Sequence, residues 1–261
     1  MAYYQIKVFI NALQRYTHFE MYIPNDVGTD LSQEDTRYTG RKMKTLFLLQ
    51  GFTGYAENWV PEELCQKYNF AVVMPNGENS FYLDSPSSCG KYGTYVGKEL
   101  VEYVQKTFGL ADCPENTYIM GMSMGGFGAI HTALAYPETF GKAGAMSAAL
   151  IIHEIAHMKE GEANEVANYD YYHNCFGDLD TVEESDQNPE TLIQKLLIQK
   201  KQLPKLYLCC GTEDFLIEKN REFHQFLEKH QVEHEYHESE GDHNMVFWRE
   251  YIVKIVAWMF Q

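Results

Sequence analysis

Apolar positions along this chain gather into short dense runs separated by longer amphipathic stretches. "KTLFLLQG", "FAVVMPNG", "TYIMGMS", "AGAMSAA" and "KLYLCCGTED" are each nearly all apolar, with small or turn-forming residues towards their ends. Runs of this kind suit strands buried on both faces, as in a parallel sheet. Between them the apolar period lengthens to that of a helix, over Glu57–Tyr68, Val96–Phe108, Gly125–Tyr136, Ile217–His230 and Met245–Phe260. Two opening stretches, Gln5–Asn11 and His18–Asn25, alternate apolar and polar and predict an antiparallel pair at a sheet edge. His234–Glu238 alternates as well, and the polar, turn-rich residues 26–42 read as a loop. Strand and helix alternating in this way predict a three-layer α/β fold with a mostly parallel central sheet and right-handed crossovers. Residues 150–204 break the rhythm. They hold no clear strand, much charge and at least one helix, Pro189–Lys200. Such a segment predicts a helical cap inserted over the C-terminal edge of the strands, where α/β sheets bind ligands. The expectation is one domain over 1–261.

The totals narrow the function classes. The 261 residues are 45% hydrophobic and 22% charged, an ordinary globular balance. With 37 Asp and Glu against 21 Lys and Arg, the formal charge is -16. That field repels phosphate backbones and anionic headgroups, which argues against nucleic-acid and membrane-surface partners. No apolar run is long enough to cross a bilayer, and no basic segment leads into a leader-like apolar one. The chain is therefore expected in the cytoplasm. Its six cysteines show no framework spacing and are expected to stay free thiols. Nothing in the pattern decides oligomeric state; a homo-oligomer is admissible.

The chemistry lies where the strand pattern of "TYIMGM" gives way to the helix pattern of "GGFGAIHTALA". The junction reads GMSMG, a G-x-S-x-G motif that is weak alone and specific in this strand–turn–helix setting. Four glycines near a helix start would be costly for a purely structural helix. Gly121 and Gly125 fit a turn that brings backbones very close. Ser123 is thus the candidate nucleophile. A serine hydroxyl needs a base, and on such a scaffold the chain order is Ser, acid, His. The turn after "KLYLCCG" offers Asp214, with Glu213 as a rival. The loop after the last strand offers His243, with the neighbouring Asp242 a weaker rival acid. Backbone N–H groups of Met124 and Phe52 are the candidate oxyanion donors, with Gly51 expected to permit the turn that aims Phe52.

"LFLLQGFTGYAENW", "VVMPNGENSFYLD", "YIMGMSMGGFGAI", "CCGTEDFLIEKNREF" and "EGDHNMVFW" together resemble the esterase D and S-formylglutathione hydrolase group of α/β-hydrolases, nearest its tributyrin esterase branch. The resemblance implies an α/β-hydrolase fold and a carboxylesterase acting on short acyl esters, with carbohydrate-linked acetyl or feruloyl esters as a further substrate class. It also implies no cofactor and the triad Ser123, Asp214 and His243. Gln50 stands where many such proteins carry His, and residues 150–204 match poorly. Acyl transfer, thioester hydrolysis of S-formylglutathione and a non-catalytic binding role are the competing readings. Of these, the complete Ser, His and acid set weighs against the last.

"HEIAH" (His153, Glu154, His157) spells a zincin-like pattern. No third ligand stands out downstream, so no metal site is assigned, and His157 with its neighbours is expected to form a lid helix. Cys209 and Cys210 are expected buried and inert, and "DLDTVEESDQ" a solvated surface. Trp59, Phe81, Tyr82 and Trp248 are expected to pack beside the catalytic loops rather than touch substrate.

Overall fold

The computed structural model describes residues 1–24 and 41–260; Asn25 and nearly all of the expected loop 26–42 lie outside them. The chain opens with β1 (Ala2–Ile10) and β2 (Arg15–Ile23), paired antiparallel from Ala2 opposite Ile23 to Ile10 opposite Arg15. The apolar runs then become β3 (Lys44–Leu49), β4 (Phe70–Pro75), β5 (Thr117–Met122), β6 (Lys142–Met146) and β7 (Lys205–Gly211), and the last alternating stretch becomes β8 (His234–Ser239). The eight strands among the described residues form one sheet in the order β1-β2-β4-β3-β5-β6-β7-β8. β2 meets β4 antiparallel, and every later pairing is parallel.

The central strands read as continuous apolar runs because both faces are covered. On β3, Leu46 and Leu48 pack with α1 (Glu62–Tyr68) and α9 (Met245–Phe260) on one side. Phe47 and Leu49 pack on the other side with α3 (Leu100–Phe108), α4 (Met124–Ala135) and α8 (Ile217–Lys229). Each such side chain contributes roughly 1.5–3 kcal/mol by leaving water. Truncating Phe47 to Ala removes about 3–5 kcal/mol, since the close-packed layers cannot collapse around the void.

Boundaries differ from the sequence pattern where local chemistry overrides periodicity. α1 starts at Glu62 and not Glu57, because Pro61 at its N-cap has an extended ψ of 131° and has no N–H to continue a preceding helix. The helix expected from Val96 starts earlier. α2 (Tyr92–Thr94) runs through a π turn (Tyr95–Glu99) into α3. Residues 150–204 carry α5 (Ile152–Ile155), α6 (Tyr169–Phe176) and α7 (Pro189–Ile198). The periodicity did not reveal α6. Its signal was the N-cap Asn168, whose side chain accepts from the Tyr171 N–H at 3.1 Å, ahead of the apolar face Tyr172, Cys175 and Phe176. No helix among the described residues is long and apolar enough to cross a membrane.

Candidate active site

β5 ends at Met122 and α4 begins at Met124, so Ser123 is the whole turn between them. Its backbone sits at φ 54°, ψ -120°, a left-handed conformation that a serine adopts only under constraint. Three hydrogen bonds hold it there. Ser123 N donates to Met146 O at 2.9 Å, while its carbonyl accepts from Phe127 N at 3.1 Å and Ala149 N at 3.0 Å. The flanking glycines are required by close approach. A Cβ on Gly121 would lie 2.1 Å from the Gly125 carbonyl oxygen, and one on Gly125 would lie 2.3 Å from that of Leu49.

The turn after β7 carries Asp214, which is 1% exposed. Its Oδ2 lies 2.9 Å and its Oδ1 3.1 Å from His243 Nδ1, and Oδ1 also accepts from Leu216 N at 2.9 Å. Burial pushes this carboxyl upward, but the donors from His243, Ser147 and the Leu216 N–H outweigh it and hold the group below its ordinary value. With Nδ1–H given to Asp214, His243 keeps Nε2 free as an acceptor. The imidazole is fixed between Phe215, centroids 4.6 Å apart, and an edge-on Trp248 at 5.0 Å. Trp248 is itself held by its indole N–H on Ser147 Oγ at 3.0 Å. The rival acids are engaged elsewhere. Glu213 accepts from Gly241 N at 2.6 Å, and Asp242 from the backbone N–H of His243 at 2.7 Å.

Ser123 and His243 line one cavity of about 630 Å³, together with Phe52, Met124 and Leu216. The N–H groups of Phe52 and Met124 have no acceptor among the described residues. The Phe52 loop is stapled from behind. Gln50 Nε2 donates to Gly54 O at 2.6 Å, its Oε1 accepts from Gly77 N at 3.4 Å, and Asn79 Oδ1 accepts from Thr53 N at 2.8 Å. Gly51 is not what turns this loop. An added Cβ there would meet nothing nearer than 3.6 Å, and the left-handed residue is Thr53, at φ 61°. Sequence reasoning missed Asn79, although its place in "PNGENS" marks a turn beside the same strand end.

A family model for esterases matches residues 10–259 of the chain. This chain belongs to the esterase family. It is 38% identical, over 99% of its own length and 98% of the relative's, to an acetyl esterase of Caldicellulosiruptor saccharolyticus. Among solved structures it is similar to FphF, a fluorophosphonate-binding serine hydrolase of Staphylococcus aureus, with a TM-score of 0.82 and 26% identity over 100% of this chain and 98% of the other. It is also similar to the S-formylglutathione hydrolase FrmB of Staphylococcus aureus, with a TM-score of 0.81 and 27% identity over 100% and 99%. The esterase is an α/β-hydrolase acting on carboxylic esters, with a sheet and helix arrangement that fits this assignment.

Of the other features expected of this esterase, the structure corrects some and bears out others. The HEIAH segment forms no lid helix through His157. α5 ends at Ile155, Ala156 has an extended ψ of 133°, and His157 lies at φ 63°. His153 and His157 are therefore not stacked one helical turn apart. His153 Nδ1 contacts Glu183 at 2.5 Å and its Nε2 contacts Glu190 at 3.4 Å, while His157 faces Asp180 at 3.3 Å. Among the described residues no group of three or more His, Cys, Asp or Glu is placed to hold a metal ion. "DLDTVEESDQ" is more than a solvated surface, since Leu179 and Val182 are buried and Glu183 anchors His153. Phe81 is buried and also lines the cavity, whereas Tyr82 is buried behind the Gln50 carbonyl. Cys209 and Cys210 are buried, and desolvation first of all raises both thiols, Cys210 to about 12. All six cysteines are free.

Proposed function

We propose that this esterase cleaves short-chain acyl esters through an acyl-enzyme carried on Ser123. The observation that carries the reading is the closed Asp214–His243 pair in the wall of the cavity that also holds Ser123. His243 Nε2 takes the Ser123 hydroxyl proton as Oγ adds to the acyl carbon, and returns it to the departing alcohol oxygen. Water, activated by the same nitrogen, then releases the acid. Asp214 holds the tautomer and stabilises the imidazolium. The Phe52 and Met124 N–H groups receive the oxyanion. The acetyl esterase relative supports a short acyl group, and residues 150–204 are read as a cap, since several of them line the cavity. Carbohydrate-linked esters remain within this class. The free thiols fit a reducing cytoplasm.

A fluorophosphonate probe should label wild-type protein at Ser123 and leave Ser123→Ala unlabelled; labelling elsewhere overturns the assignment. The likeness to S-formylglutathione hydrolase favours a thioester as second reading. A marked preference for S-formylglutathione over p-nitrophenyl acetate would establish it.

A further inference from the structure

The residues that line the cavity fall into two sets that differ in burial and chemistry. Met124, Phe81 and Leu216 are buried and apolar. They suit a short acyl chain beside Ser123. Glu154, Asn164 and Glu165 from residues 150–204 and Lys219 from α8 line the same cavity but are half-buried or exposed, which marks its solvent side. Its geometry is built. Asn164 Oδ1 accepts from Tyr172 OH at 3.0 Å, Val166 N at 2.9 Å and Ala167 N at 3.0 Å, which leaves the amide NH2 no choice of direction. That NH2 donates to Glu154 Oε1 at 2.8 Å. Lys219 Nζ lies 2.8 Å from Glu154 Oε2. Among the described residues Lys219 is the one lysine in the wall and is paired with Glu154, while Glu165 has no cationic partner. The carboxylate of Glu154 is held still and, with two lone pairs per oxygen, can accept further hydrogen bonds.

Resting on the Ser123 reading, we propose that Glu154, positioned by Asn164 and Lys219, selects the leaving half of the substrate. It accepts a hydrogen bond from an uncharged, hydroxyl-bearing alcohol and, with Glu165, repels an anionic leaving group. A short acyl group goes to the buried apolar set, so the bulkier alcohol half must pass the half-exposed Glu154. An anionic thiol such as glutathione meets like charge there, which separates this chain's selectivity from glutathione-thioester hydrolysis.

The test uses one acyl group and two leaving groups of the same shape, methyl 4-acetoxybenzoate and the 4-acetoxybenzoate anion. Each kcat/KM is divided by the ester's own rate with imidazole, an uncharged nucleophile, which corrects for intrinsic reactivity without adding a charge effect. At low salt the wild type should favour the neutral ester by about tenfold, from the field of the carboxylate wall. Glu154→Gln and Glu165→Gln should each narrow the ratio, and Lys219→Met should widen it. Added salt should narrow it in the wild type by screening. A ratio compares two substrates on the same protein, so partial misfolding cancels, and the salt arm needs no variant. A separate arm compares 1-monoacetin with n-propyl acetate; only the first offers free hydroxyls, and Glu154→Gln should lower its relative kcat/KM. Equal normalised rates at low salt, or a ratio that ignores both the variants and salt, overturn the proposal while leaving the esterase reading intact. Failure to turn over either ester, with no label on Ser123, sinks both.

Discussion

Two regions meet at the cavity and are built on different principles. The β5–α4 elbow is over-determined. Its serine is strained, the glycines two residues to either side press against carbonyls, and β5 is buried throughout. The 150–204 segment has short helices joined by polar turns, and its ties to the scaffold include half-exposed ion pairs such as Glu154–Lys219. The first region is suited to holding reacting atoms still, and the second to shaping what reaches them. The largest effect should therefore come from the elbow. Ser123→Ala should lower kcat by about a million-fold, as for other serine triads, in a stopped assay of p-nitrophenyl acetate hydrolysis. Asp214→Asn should cost about 10⁴-fold through loss of the imidazole tautomer, while Glu213→Gln and Asp242→Asn stay within about tenfold of wild type. Near-wild-type activity in Asp214→Asn would falsify the acid assignment.

The same contrast governs stability. Two glycines test it. At Gly125 an added methyl meets the Leu49 and Gln50 carbonyl oxygens at 2.3 Å and 2.5 Å, so backbone must move. Gly125→Ala should cost at least about 3 kcal/mol or abolish folding, in line with severe overpacking. At Gly161, φ is 89° but nothing lies within 4 Å. Gly161→Ala should cost only about 1–2 kcal/mol, the price of a left-handed conformation for a residue with a Cβ. Urea unfolding of both variants measures the difference. Equal losses would mean that the elbow has slack which the structure does not display.

This asymmetry also explains what could be read from the amino-acid order. Burial on both faces writes itself as an unbroken apolar run, so β3 to β7 were legible from "KTLFLL" through "KLYLCCG". The elbow was legible because glycine spacing is imposed by contact. Asp214 and His243 could be nominated because each follows a strand end, but the choice among Asp214, Glu213 and Asp242 depends on side-chain direction, which no one-dimensional pattern holds. Residues 150–204 were legible only at α7, read as a helix from Pro189, and the rest was hidden for a related reason. α5 is too short to show a period, and α6 declares itself chiefly through its Asn168 cap. Glu154, Asn164 and Lys219 come together from three places in the chain, so their common wall had no local signal.

The smallest effect separates the regions by the pH at which each loosens. Asp214 belongs to the scaffold, and its carboxyl is held below the ordinary 3.8. Its contribution is present above the unfolded pKa and is lost as pH falls through the lower folded value. His153 belongs to the 150–204 segment and behaves oppositely. The Glu190 carboxylate, then that of Glu183 against partial desolvation, raises it from 6.5 to about 9. Between those two values the folded segment holds a proton that the unfolded chain has released. The stabilisation is therefore complete below about pH 6.5 and fades as pH rises through about 9. With the His153 side chain 49% exposed, solvent screening limits it to about 1 kcal/mol at most. Tm of wild type and His153→Gln should differ slightly at pH 6 and converge by pH 10, and the gap should shrink in high salt. Amide exchange should locate the change in α5 and α7, which carry His153 and Glu190, and not in β5. A gap that widens with pH, or exchange that changes at the elbow instead, would show that the two regions share one cooperative fate.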